Sequence, residues 1–181
     1  MGDLPVMGKK EDRRALLGIW VLYTLSLSSL LRAAVHYKDD AGRAMEGYRR
    51  WYQSSRYVSD VLSVILHAGR RLGDMAPLGQ LLAVFIMAAS SVCLIRIFTE
   101  KPIGWREAAA AAPLALSPYF LECFSFQYDS PYMALSVLVC LLPFFFRKRG
   151  IRAYALTSVI CLILMCMLYQ TSSGIYPLVV L

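Results

Sequence analysis

The sequence predicts an all-α fold: a polytopic membrane helix bundle with amphipathic interfacial helices in its first external loop. Three observations lead there. Of the 181 residues, 58% are hydrophobic and mean hydropathy is +0.53, where soluble domains are nearer half apolar. The apolar residues gather into blocks at about 15–35, 78–98, 108–126, 131–146 and 151–169, each near the ~20 residues with which a helix crosses ~30 Å of hydrocarbon. Much of the Lys and Arg falls in short stretches between those blocks. A further apolar block starts at 175 and the sequence ends at Leu181, so the expectation is a portion of a longer protein.

Residues 1–14 form a charged tail, which the positive-inside rule places in the cytoplasm. Lys9, Lys10, Arg13 and Arg14, then Arg96, Lys101 and Arg106, then Arg147, Lys148, Arg149 and Arg152 fall on one side of the predicted bundle. The loop 37–80, predicted outside, is also basic, with Lys38, Arg43, Arg49, Arg50, Arg56, Arg70 and Arg71, but Asp39, Asp40, Glu46, Asp60 and Asp74 share it. The net charge of +7 is thus assigned to membrane flanks rather than to nucleic-acid binding. Arg32-Ala33-Ala34 is a poor cleavage site, so the first helix is expected to remain uncleaved.

The loop 37–80 has helical periodicity. A short helix is expected over 41–52, capped by Asp39 or Asp40 and ending in Trp51 and Tyr52, residue types suited to a membrane interface. Val58, Val61, Leu62, Ile65 and Leu66 then make one apolar stripe, and Arg56, Asp60, Ser63, His67, Arg70 and Asp74 the opposing polar one. This pattern predicts an amphipathic helix along the membrane surface, with Asp60 and Arg70 able to pair. Gly69 and Gly73 mark a break, after which Asp74 caps the next helix, with Pro77 in its first turn. Pro113 and Pro118 predict bends in the third block. Asp129 or Ser130, with Pro131 in the first turn, opens the fourth. Cys93, Cys123, Cys140, Cys161 and Cys166 lie in or beside apolar blocks without CxxC spacing and read as small packing residues.

Polar chemistry gathers on the predicted outer face. Two adjacent carboxylates at the exit of a membrane helix are costly to desolvate, so Asp39 and Asp40 need compensation or a function. One carboxylate can take the proton from an attacking hydroxyl while the other orients it, or the pair can bind a divalent cation such as Mg or Mn. Arg43 and Arg56 can hold a phosphate; Asp60, Asp129, Gln170 and Trp51 are further substrate-binding candidates. Capping, head-group solvation and interface anchoring compete for each of these residues. The combination points to group transfer from a lipid phosphate to a hydroxyl acceptor.

The run Tyr37-x-Asp39-Asp40-x-x-Arg43-x-x-x-Gly47-Tyr48-x-x-Trp51, with Arg56-x-x-Ser59-Asp60-x-Leu62 and Asp74-x-x-Pro77-Leu78, resembles the N-terminal region of the bacterial serotype-converting O-antigen glucosyltransferases. Ser117-Pro118-Tyr119-Phe120-Leu121-Glu122, Phe126-x-Tyr128-Asp129-Ser130-Pro131-x-Met133-Ala134-Leu135 and Tyr169-Gln170-x-Ser172 extend that resemblance over nearly all of the chain. It implies a multi-pass inner-membrane glycosyltransferase of the integral-membrane class. Such an enzyme takes sugar, typically glucose, from a polyprenyl phosphate on the periplasmic side and gives it to an O-antigen or lipopolysaccharide acceptor. Catalysis by acidic residues of the first external loop would map onto Asp39 and Asp40. Family members are longer than this chain.

Two other readings use the same residues. A transporter or flippase-type component would need ionisable groups at mid-membrane, and the second, fourth and fifth blocks hold almost none in their interiors. An inactive fragment acting as an assembly partner is the other.

Overall fold

A computed structural model describes residues 10–33 and 35–181, which form helices joined by turns and irregular segments, with no strand among them. The expected tail therefore lies mostly outside the described residues, as does Ala34 of the poor cleavage site. Helices α1 (Lys10–Ser26) and α2 (Ser28–Ala33) run on almost without a break, since Leu27 N–H donates to Tyr23 O at 2.9 Å and Leu31 N–H to Leu27 O at 3.0 Å. Ile19, Tyr23 and Leu27, one turn apart, make the buried seam of this first unit. The Tyr23 hydroxyl meets Ser91 Oγ at 2.8 Å, which satisfies a polar group inside the bundle.

The loop 37–80 folds into α3 (Asp40–Glu46), a 3-10 turn (Trp51–Ser54) and α4 (Tyr57–Leu66). The single helix expected over 41–52 stops at Gly47, whose φ of +66° closes α3 with an N–H bond to Arg43 O. Asp39 occupies the N-cap position but makes no side-chain cap bond. Helix α4 ends at Leu66, short of Arg70, so Asp60 pairs with Arg49 at 3.6 Å and not with Arg70. Its expected stripes are also redistributed. Val58, Leu62 and Leu66 pack against Trp51, Leu72, Tyr128, Tyr132 and Leu168. Val61 and Ile65 are exposed, while Ser59 and Ser63 are fully buried. Trp51, expected at the interface, is buried; Tyr52 is exposed.

Helix α5 (Leu78–Phe98) is the central rod. Ala83, Val84, Met87, Ala88 and Val92 are fully buried, and its run of small residues admits neighbouring backbones closely. The third apolar block is cut into α6 (Trp105–Ala111), α7 (Pro113–Leu116) and α8 (Pro118–Ser125), because each proline lacks the N–H that would continue the preceding helix and instead opens the next. Helix α9 (Ser130–Leu141) continues into a 3-10 stretch (Leu142–Arg149); α10 (Ile151–Leu168), a turn (Gln170–Gly174) and α11 (Ile175–Val180) complete the chain.

Among the described residues, three helical rods are long and apolar enough to cross a membrane: Leu78–Phe98, Ser130–Arg149 and Ile151–Leu168. The blocks at 15–35 and 108–126 fall in segmented helices. Charged groups sit at the two ends of the bundle. At one end Arg96 pairs with Asp12 and donates to Lys101 O at 2.6 Å, and Lys148 meets Glu100 at 2.5 Å. The other end carries the candidate site.

Candidate active site

The site is built around Asp129, in the tight segment between α8 and α9. The sequence suggests a helix cap, but the Asp129 side chain makes no cap bond. Its carboxylate instead collects donors from the first loop. Arg43 Nη1 from α3 binds Oδ2. Oδ1 accepts from Arg56 Nη1 at 2.7 Å and from Trp51 Nε1 at 2.5 Å. Arg43 also lies over the Trp51 ring at 4.3 Å, and Trp51 meets Tyr132 edge-on at 5.2 Å. Asp129 is 3% exposed, Arg43 7% and Trp51 2%, so the charges are withdrawn from bulk water, where charge-assisted bonds are strongest.

The same cluster ties the loop to α10. The last carbonyl of that helix, Leu168 O, accepts from Arg56 Nε at 2.7 Å and from Ser59 Oγ at 3.0 Å. A guanidinium at a helix C-terminus complements the dipole, and this contact explains why Ser59 faces inward.

The cluster forms one wall of a pocket of about 330 Å³. Four cations line it (Lys38, Arg43, Arg50 and Arg56), with the three carboxylates of Asp39, Glu122 and Asp129. Trp51, Tyr119, Phe126 and Tyr169 supply aromatic surface. Lys38 Nζ donates to Glu122 Oε1 at 2.7 Å, and Tyr37 Oη to the same oxygen at 3.2 Å. The hydrogen bond from Lys38 holds the Glu122 carboxyl below its ordinary range, and the same bond pushes the Lys38 ammonium up.

The two adjacent aspartates part company here. Asp39 is exposed and lines the pocket, and its side chain makes no hydrogen bond or ion pair among the described residues. Asp40 is fully buried, and its Oδ2 accepts the Gln127 N–H at 2.6 Å. Burial pushes the Asp40 carboxyl up to about 6; the Gln127 N–H works in the opposite direction. Successive residues on a helix differ by about 100° in direction, and that rotation sends one carboxylate to the pocket and the other into the protein. Among the described residues no group of three or more His, Cys, Asp or Glu side chains stands in metal-binding arrangement.

The other candidates are dispersed. Asp60 lies outside the pocket against Arg49, whose Nη1 also donates to Asp60 O at 3.2 Å. Gln170 is exposed, and its Nε2 reaches Ser54 O at 3.3 Å just beyond the pocket rim. Lys38, Arg50, Tyr119, Glu122 and Tyr169 line the pocket without having been singled out from the sequence. A signal for two of them was present: Pro118 opens a helix, which puts Tyr119 and Glu122, three residues apart, on one face.

Among the described residues, then, the fold is helical, with membrane-length rods and, at one end, a mixed-charge pocket walled by aromatic rings, the architecture of a polytopic membrane protein. The chain belongs to the family described as Glucosyl transferase GtrII, which matches residues 28–181. This is the serotype-converting glucosyltransferase family that the Asp39–Trp51 and Tyr128–Pro131 blocks resemble. The chain is also similar to a Salmonella phage P22 protein described as "Uncharacterized 55.3 kDa protein in gtrB 5'region", 27% identical over 168 residues. That match covers 91% of this chain and 33% of the phage protein, so the chain spans about a third of the length of this curated relative. No solved structure matches it.

Proposed function

We propose that the protein to which this chain belongs moves glucose from a polyprenyl phosphate to an O-antigen or related surface glycan on the periplasmic side of the inner membrane. In this scheme Asp39 is the general base. The observation that carries it is the unpartnered Asp39 carboxylate on the wall of a pocket that also presents four cations. Asp39 takes the proton of the acceptor hydroxyl as its oxygen forms a bond to the sugar's anomeric carbon. The bond from that carbon to the phosphate oxygen breaks, and polyprenyl phosphate leaves with the electron pair. Arg43 and Arg56, held by Asp129, with Lys38 and Arg50, stabilise the charge gathering on the phosphate. Tyr119 and Tyr169 offer ring faces to the sugar. Asp40 anchors α3 to the Gln127 backbone and so positions Asp39. The scheme routes no step through a metal ion. Membership of a glucosyltransferase family and the presence of membrane-length helices support the reading.

The test uses the full-length protein in membranes with labelled polyprenyl-phosphate glucose and acceptor lipopolysaccharide. Asp39→Asn is expected to lower turnover by about 10²–10⁴-fold, the usual contribution of a positioned base, while donor binding persists. Turnover in Asp39→Asn within about threefold of wild type would remove Asp39 from the chemistry.

A further inference from the structure

A second cavity lies directly behind the first. It is an open groove of about 470 Å³ between the start of α4 and the C-terminal half of α10, lined by Tyr57, Leu162, Ile163, Cys166, Met167 and Gln170. That volume falls within the roughly 300–1,000 Å³ of small-molecule sites, and the lining is almost wholly apolar. The two cavities share one thin partition. Ser54, Arg56 and Tyr169 face the charged pocket, while their chain neighbours Ser55, Tyr57 and Gln170 face the groove. The partition is closed by the Gln170–Ser54 hydrogen bond and by Arg56 on Leu168 O.

We infer that the groove holds the first isoprene units of the donor's polyprenyl tail, so that the lipid lies across the Ser54–Gln170 partition with its phosphate at Arg56. The inference rests on the donor proposed above. An apolar trough within one residue's width of a cationic pocket, about 3.8 Å along the backbone, is the shape an amphiphile with a single anionic head requires. The groove lies on α10, a membrane-length helix whose Leu156, Val159, Ile160 and Ile163 are exposed, so a tail can enter sideways from lipid. No charged side chain lines the groove, which excludes a second anionic site as its purpose.

Cys166 gives a direct probe, because it is exposed in the groove, while Cys93, Cys123 and Cys140 are buried and Cys161 is partly covered. The full-length protein, in phosphatidylethanolamine/phosphatidylglycerol membranes, is alkylated with a maleimide, and the peptide carrying Cys166 is followed by mass spectrometry. Undecaprenyl phosphate is expected to slow alkylation by about tenfold or more, and methyl phosphate not at all, since burial of a few methylenes is already worth that factor. A Cys166 unreactive before any addition would show the groove covered by other parts of the protein and overturn the inference. Equal slowing by added phosphatidylglycerol would show a general lipid-facing surface and also overturn it.

Kinetics supply the second measurement. Wild type should show a KM for undecaprenyl-phosphate glucose at least about tenfold below that for methyl-phosphate glucose. Cys166→Trp, which fills the groove, should collapse that ratio toward one. A preserved ratio refutes the groove; if the variant does not fold, the wild-type labelling decides alone. Transfer that depends on Asp39 but not on the tail defeats the groove and leaves the proposed reaction standing. Tail-dependent protection without any glucose transfer does the reverse.

Discussion

Replacement of Asp129 by alanine tests the construction of the site most severely. Its carboxylate is 3% exposed and binds Arg43, Arg56 and Trp51, so removal leaves two guanidiniums and an indole N–H without their shared acceptor. Breaking a buried ion pair by deleting one partner costs about 3–5 kcal/mol, and an orphaned buried N–H about 1–3 kcal/mol. The three contacts form one network and do not add, so the expected loss is about 4 kcal/mol. The measurement is the unfolding free energy of the full-length protein in detergent, from a denaturant titration. Two controls divide the effect. Asp129→Asn keeps an acceptor for Trp51 but removes the charge, and should cost nearly as much as alanine. Trp51→Phe removes only the N–H and should cost about 1–2 kcal/mol. A loss under about 1 kcal/mol in Asp129→Ala, in the range of exposed pairs, would mean that the arginines find water as readily as they find Asp129, and the buried cluster would not hold the loop.

Two further outcomes follow from the divided aspartates. The folded-state carboxyl of Asp40 is raised from an ordinary 3.8 to about 6. The folded protein therefore keeps a proton there that the unfolded chain has released. The stability contributed by Asp40 is fully present below about 3.8, falls as pH rises through about 6 and is level above it. Asp40→Asn should flatten this segment of a stability-versus-pH titration, and an unchanged segment would contradict the assignment. The same variant should lower transfer by less than about tenfold, against the 10²–10⁴ for Asp39→Asn, in parallel assays at one pH. Incubation with EDTA should leave transfer unchanged, measured against a sample with Mg restored.

The rods were the legible part. The blocks at 78–98 and 151–169 coincide within a residue with α5 and α10, because apolar length is a local property that no distant contact revises. The block at 108–126 was legible in its breaks, since Pro113 and Pro118 fix where a helix must restart. The first loop was legible only in part. Periodicity gives α4 but puts Ser63 on the solvent face; it is buried, as is Ser59, whose hydroxyl donates to Leu168 O, 109 residues away, while Ser63 Oγ donates to Asp60 O. Asp129 shows the same limit. Nothing beside it in the sequence announces Arg43, 86 residues earlier, and its neighbours Ser130 and Pro131 point only to a cap. Asp39 and Asp40 were found as a pair, but their opposite exposures depend on the Gln127 backbone.

On the proposed reading, the arginine cluster also bears on how the pocket would receive a lipid monophosphate. Two guanidiniums share one carboxylate, and Arg43 Nε and Arg56 Nη2 are buried without partners of their own. One positive charge is thus left uncompensated at the pocket wall. Elsewhere in the pocket Lys38 is matched to Glu122, and Arg50 and Asp39 offset one another in charge, so the surplus stands. A sugar phosphodiester carries one negative charge, enough to balance that surplus. Because Asp129 fixes the guanidiniums before any substrate arrives, their dipoles need no reorganisation as charge moves onto the leaving phosphate, and this is where electrostatic stabilisation is largest. On the proposed reading, the most buried carboxylate of the pocket acts by holding still the two cations that the departing phosphate meets.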